Sequence, residues 1–183
     1  MDTKGLIDSR NIELWTALSK VREISIKREK QNIYSAYSID NKTTIYVPID
    51  GNDPASFTHE LLHVFLRTKK VYIGAGLQIS IKESKVLSKI FSDNLIEHIG
   101  NCLDHIKMFP LFVNLGYEPD KFLSDYSENK LTNNEILCIK KHFFTRFFKK
   151  VLYNKTAIDF YIGKYFAAIS CPNTTFDYTS QLI

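Results

Sequence analysis

The stretch from Asp53 to Leu66, DPASFTHELLHVFL, constrains this chain more than any other. It sets His59 and His63 four residues apart with Glu60 after the first, the HExxH spacing. On a helix, positions i and i+4 lie on one face, so both imidazoles can reach a single metal ion. Glu60, beside the first ligand, can then take a proton from a metal-bound water without entering the coordination sphere. The flanks favour a helix over 54–69. Asp53 is a good N-cap, and Pro54 suits the first helical position, where no backbone donor is needed. Phe57, Leu61, Val64 and Phe65 supply an apolar face to bury. The bland alternative is a helix with two partly buried histidines and a surface glutamate. The cap and the apolar face weigh against it, because they put the motif where metal chemistry needs it.

At 183 residues, 44% hydrophobic and 13% aromatic, the chain is expected to form one domain, 1–183, with a sizeable core. Its net charge of +4 is too mild to signal a nucleic-acid partner. The opening Met1-Asp2-Thr3-Lys4-Gly5 lacks the apolar run of a secretory signal, and no stretch has membrane-spanning length. Cys102, Cys138 and Cys171 are odd in number, widely spaced and in no C-x-x-C arrangement, so they read as reduced thiols. A cytoplasmic location is the expectation.

Read in order, the chain suggests an α+β fold. Ile12, Leu14, Trp15, Leu18 and Val21 predict a helix over 10–22. Strand-like runs follow at Ile24–Lys27, Ile33–Ile39 and Thr43–Val47, the last two joined by the turn signal Asp40-Asn41-Lys42 as a hairpin. Pro48 places the third strand at an edge or ends it. After the HExxH helix, Val71–Ser80 with Gly74 and Gly76 reads as a turn or short strand. A long helix is expected over 81–108, stopped by Pro110. Gly116-Tyr117-Glu118-Pro119 is a loop, helices are expected at Leu131–Leu152 and Thr156–Ile169, and the end is a terminal strand or tail.

A catalytic zinc usually takes three protein ligands and leaves one position for water. The long helix offers candidates for the third. At 100° per residue, Asn94, His98, Asn101 and His105 fall within about 60° of one another, with Glu97 and Asp104 on the adjoining flank. Leu95, Ile99, Leu103 and Ile106 lie opposite. A solvated polar face gives the same pattern.

The motif and the preceding small sheet resemble the zincin class of zinc metallopeptidases, specifically over about fifteen residues and loosely elsewhere. The metzincin extension is absent, since no glycine and third histidine follow His63 closely. The resemblance implies a Zn2+ ion held by His59 and His63, peptide-bond hydrolysis with Glu60 as general base, and a peptide or protein substrate. It also implies that an edge strand beside the cleft pairs with the extended substrate, for which Thr43–Val47 is the candidate. In glutamate-type zincins the third ligand is a Glu on a later helix, which favours Glu97. Chain reach agrees, because a returning helix should pass the metal well before its C-terminal end. Yet the histidines stand nearer the apolar boundary, so the order is Glu97, then His105, then His98. Tyr72 and Tyr117 sit in loops from which a tyrosine could stabilise an oxyanion.

A rival from another class is a non-catalytic binding or regulatory module. It would act through a basic amphipathic helix over 138–152, with Phe143, Phe144, Phe147 and Phe148 on one side and Arg146, Lys149 and Lys150 mostly on the other.

Overall fold

A computed structural model describes residues 3–142, 144–147, 150–173 and 175. The chain divides into two compact units, Met1–Tyr72 with Lys107–Tyr126, and Ile73–Ile106 with Ser127–Ile183.

The first unit opens with helix α1 (Ile12–Val21) and three strands, β1 (Glu23–Glu29), β2 (Ser35–Ile39) and β3 (Lys42–Pro48). The expected hairpin is present: β2 and β3 are antiparallel across the turn at Asp40 and Asn41. β1 joins from the other side, parallel to β3, with Ile24 opposite Thr43 and Ile26 opposite Ile45. The order is therefore β1-β3-β2, and β3 lies in the centre. This corrects the assignment of Thr43–Val47 to an edge. Along the strand Thr43, Ile45 and Val47 are buried while Thr44 and Tyr46 are half-buried, so one face of β3 meets the core. Pro48 simply ends the strand. Arg22, itself buried, pins the hairpin by donating to the Asp40 and Lys42 carbonyls and to the Thr43 hydroxyl.

The free edge next to the hairpin belongs to β2, which packs beside α2 (Pro54–Thr68). Ile39 and Lys42 flank a two-residue turn and so exchange hydrogen bonds; alternation then turns the backbone groups of Ser38 and Ala36 outward.

Helix α2 starts as expected. Asp53 caps it by accepting from the backbone N–H groups of Ala55 and Ser56, and Pro54 takes the first turn. The helix is buried on two faces. Phe57, Leu61 and Val64 join Leu6, Leu18, Ile24, Ile45 and Val47 under the sheet. Ala55, Leu62 and Leu66 join Met108, Phe112, Tyr117 and Phe122. Burying a side chain of this size stabilises by about 1.5–3 kcal/mol, so the two clusters fix the rotation of α2 about its axis.

The second unit departs from expectation. Val71–Ser80 is not a turn or strand: α3 spans Ile73–Glu83, followed by the short α4 (Leu87–Ile90). Gly74 and Gly100 explain the compactness. A Cβ added at Gly100 would meet the Gly74 Cα at 2.7 Å, so the glycines allow a backbone contact rather than a turn. The long helix, α5, runs Asp93–Asn114, starting later than the expected 81–108 and passing through Pro110. Pro110 removes only one helical donor, and Phe109, Leu111 and Phe112 keep the segment anchored on both sides of it.

Helix α6 spans Asn133–His142, and β4 (Phe144–Phe147) pairs antiparallel with β5 (Lys150–Tyr153) before α7 (Lys155–Ser170). Of the helix expected over Leu131–Leu152, Asn133–His142 forms; its basic amphipathic part 138–152 is helical only as far as His142, and Phe143, Phe148 and Lys149 lie outside the described residues. The aromatic and β-branched residues Phe144, Thr145, Phe147 and Val151 are of types that favour strands. The terminal strand or tail expected after Cys171 falls mostly outside the described residues.

Candidate metal centre

At 100° per residue, His59, His63 and Glu60 occupy an arc of roughly 100° between the two buried faces of α2. His59 and His63 are half-buried there, and their rings meet edge-on with centroids 5.1 Å apart. Helix α5 brings the third histidine. Met108 and Phe112, fully buried, pack in the same cluster as Leu62 and Leu66, and His105 lies one turn before Met108 on that continuous helix. His59, His63 and His105 each offer a ring nitrogen, and these atoms lie within 4.8 Å of one another. Imidazoles this close can share one ion through bonds of about 2.0–2.1 Å. Three neutral nitrogen donors suit a borderline-soft divalent metal, and hard cations that want an oxygen cage fit poorly.

Glu60 is 9% exposed. Burial pushes its carboxyl pKa up, because the charged form loses water; the neighbouring His63 and the backbone N–H of Ala36 act in the opposite direction. The carboxyl is thus next to the histidines yet held by a strand.

The remaining candidates are elsewhere. Glu97 is exposed and eight residues before His105, about 12 Å along the helix axis, and it does not belong to the cluster. Of the two leading third-ligand expectations, the structure groups His105, not Glu97, with His59 and His63. His98 is exposed, with its Nε2 3.0 Å from the Gly163 carbonyl oxygen and 3.6 Å from Cys102 Sγ. Asn94 and Asn101 are exposed, whereas Asp104 is buried. Tyr72 is half exposed, its hydroxyl 3.3 Å from the Arg67 carbonyl. Tyr117 is buried and donates to Asp8 at 3.1 Å.

Two neighbours of the site were not foreseen. The ring of Phe122 lies 4.8 Å from that of His59, tilted by 43°. Thr58, just before His59, is anchored: its hydroxyl donates to the Pro54 carbonyl at 2.6 Å, accepts from the Asn11 amide at 2.9 Å and lies 3.0 Å from the Tyr117 hydroxyl. The contacts to Phe122 and Tyr117 have no sequence signature, because each joins segments about sixty residues apart.

No helix among the described residues is long and apolar enough to cross a membrane. No family model, curated protein or solved structure matches this chain.

Proposed function

We propose that the chain is a zinc metallopeptidase whose ion is held by His59, His63 and His105. One observation carries the reading: three imidazole nitrogens converge within 4.8 Å, and the helix that supplies two of them also holds the buried Glu60. Three protein ligands leave a coordination position open, as hydrolytic sites require. Zinc, when bound, supplies a Lewis acid that polarises the scissile carbonyl and lowers the pKa of water. Glu60 takes the proton of the attacking water, and the resulting carboxylic acid returns that proton to the leaving amine. The carboxylate is regenerated, so the residue works as base and then as acid within one turnover.

The peptide part of the reading rests on β2. With the Ala36 N–H given to Glu60, the strand's outward groups beside α2 are the Ala36 carbonyl and the Ser38 N–H and carbonyl, and an extended peptide can add there as a further strand. The role first expected of Thr43–Val47 thus passes to Ser35–Ile39. The rival reading, a binding module, would act through 138–152, of which 138–142 is helical and Phe144–Phe147 and Lys150–Tyr153 are strands.

Mapping of new protein termini in a zinc-supplemented lysate tests the proposal. Wild type should generate termini that Glu60→Gln, with its zinc retained, does not. Equal cleavage by the variant removes Glu60 from the mechanism, and no cleavage by zinc-loaded wild type contradicts the peptidase assignment.

A further inference from the structure

We infer that Phe122 is a positioning residue that fixes the imidazole of His59 in its metal-binding orientation. The inference rests on the metal centre proposed above and concerns what aims its first ligand. A histidine ring turns on a broad, roughly two-fold torsion, so burial of its backbone does not by itself aim the ring nitrogens. At His59 that freedom is limited by the neighbouring aromatic ring, 4.8 Å away and tilted by 43°. Phe122 cannot follow if the imidazole turns. It is 2% exposed and meets Phe109 and Phe112 edge-on, at 5.3 and 5.2 Å. Phe112 in turn stacks on Tyr117 at 4.9 Å and 25°.

The backbone side of the same ligand is held from the same loop. Tyr117 lies against the Thr58 hydroxyl and donates to Asp8, while the Arg10 guanidinium covers its ring 3.9 Å from the centroid. The segment 117–122 therefore holds the residue before His59 at one end and the His59 ring at the other. It directly follows α5, the helix that carries His105. One continuous piece of chain thus supplies one ligand and orients another. The apolar flank also keeps water away from one side of the ring, which strengthens the field of any ion it holds.

Zinc affinity by chelator competition, and the visible spectrum of the cobalt-substituted protein, test the inference in four variants. Phe122→Leu keeps apolar volume but removes the flat ring, and Phe122→Met does the same should the leucine variant fail to fold. Phe122→Tyr keeps the ring. Leu111→Ala perturbs the same cluster from a residue that makes none of the ring contacts holding Phe122. The expected result is zinc binding weakened about 10- to 100-fold in Phe122→Leu or Phe122→Met, with shifted cobalt bands. Phe122→Tyr should keep most of the affinity, and Leu111→Ala should lose thermal stability yet keep wild-type affinity and spectrum. Wild-type affinity in the folded Phe122→Leu or Phe122→Met variant overturns the inference, as does an equal loss in Leu111→Ala. Absence of metal binding in wild type instead refutes the metal centre itself, and the two failures are told apart by that first measurement.

Discussion

The carboxyl of Glu60 accepts a hydrogen bond from the backbone N–H of Ala36, on the free-edge strand β2. A buried acid beside two candidate ligands is thereby tied to the strand proposed to receive substrate. The bond favours the charged carboxylate and opposes the upward push of burial. Replacing Ala36 by proline removes that N–H, which faces away from β3 and contributes nothing to the ladder. Ala36→Pro should therefore keep the sheet and the zinc. The sign follows: the Glu60 pKa rises further, so the acid limb of the pH–rate profile moves to higher pH. An unmoved limb in a folded, zinc-loaded variant would leave the bond without a catalytic role. Proline at Ile45 is no substitute test, because β3 is central and would lose a ladder donor.

The glycine contact in the second unit gives a paired prediction. Gly100→Ala forces a methyl against the Gly74 backbone at 2.7 Å and should destabilise by about 1–3 kcal/mol. Gly76→Ala, in the same α3 helix as Gly74, meets nothing within 4 Å. It should stabilise by about 0.5–1 kcal/mol, as the helix loses a flexible residue. Denaturant midpoints with unchanged slopes would read both. Similar effects from the two substitutions would rule out close packing as the reason for Gly100.

A pH dependence is expected at α6. Glu135 closes a capping box, accepting from the Thr132 N–H at 2.8 Å while its own N–H donates to the Thr132 hydroxyl at 3.2 Å. It also pairs with Lys164 on α7 at 2.6 Å. Chiefly the lysine, and then the Thr132 N–H, hold its carboxyl below the usual range. A depressed folded pKa means stability that is present above the unfolded value, near 4.5, and is lost as pH falls through the lower folded one. Melting temperatures measured downward from pH 6 should fall more steeply in wild type than in Glu135→Gln. Parallel curves would show that the pair is too well solvated to matter.

Local signals carried the first half of the chain. The Asp53-Pro54 start of α2 and the β2–β3 hairpin follow from single residues with fixed stereochemistry, and both form where expected. What failed was long-range or permissive. The central place of β3 depends on a parallel partner, β1, which no turn announces. Gly74 and Gly100 look like breakers until two helices are known to touch. Glu97 ranked above His105 chiefly through the likeness to glutamate-type zincins, and Pro110, read as a stop, added chain reach to that side. α5 ends at Asn114, so His105 is nine residues inside it and chain reach does not count against it.

Zinc stoichiometry with affinity, measured by chelator competition on wild type, His105→Ala and Glu97→Ala, tests the three-histidine site. About one zinc per wild-type chain is expected, with a severe loss in His105→Ala because the ion is left with two protein ligands, and wild-type affinity in Glu97→Ala. Zinc retained by His105→Ala and stripped by Glu97→Ala would contradict it.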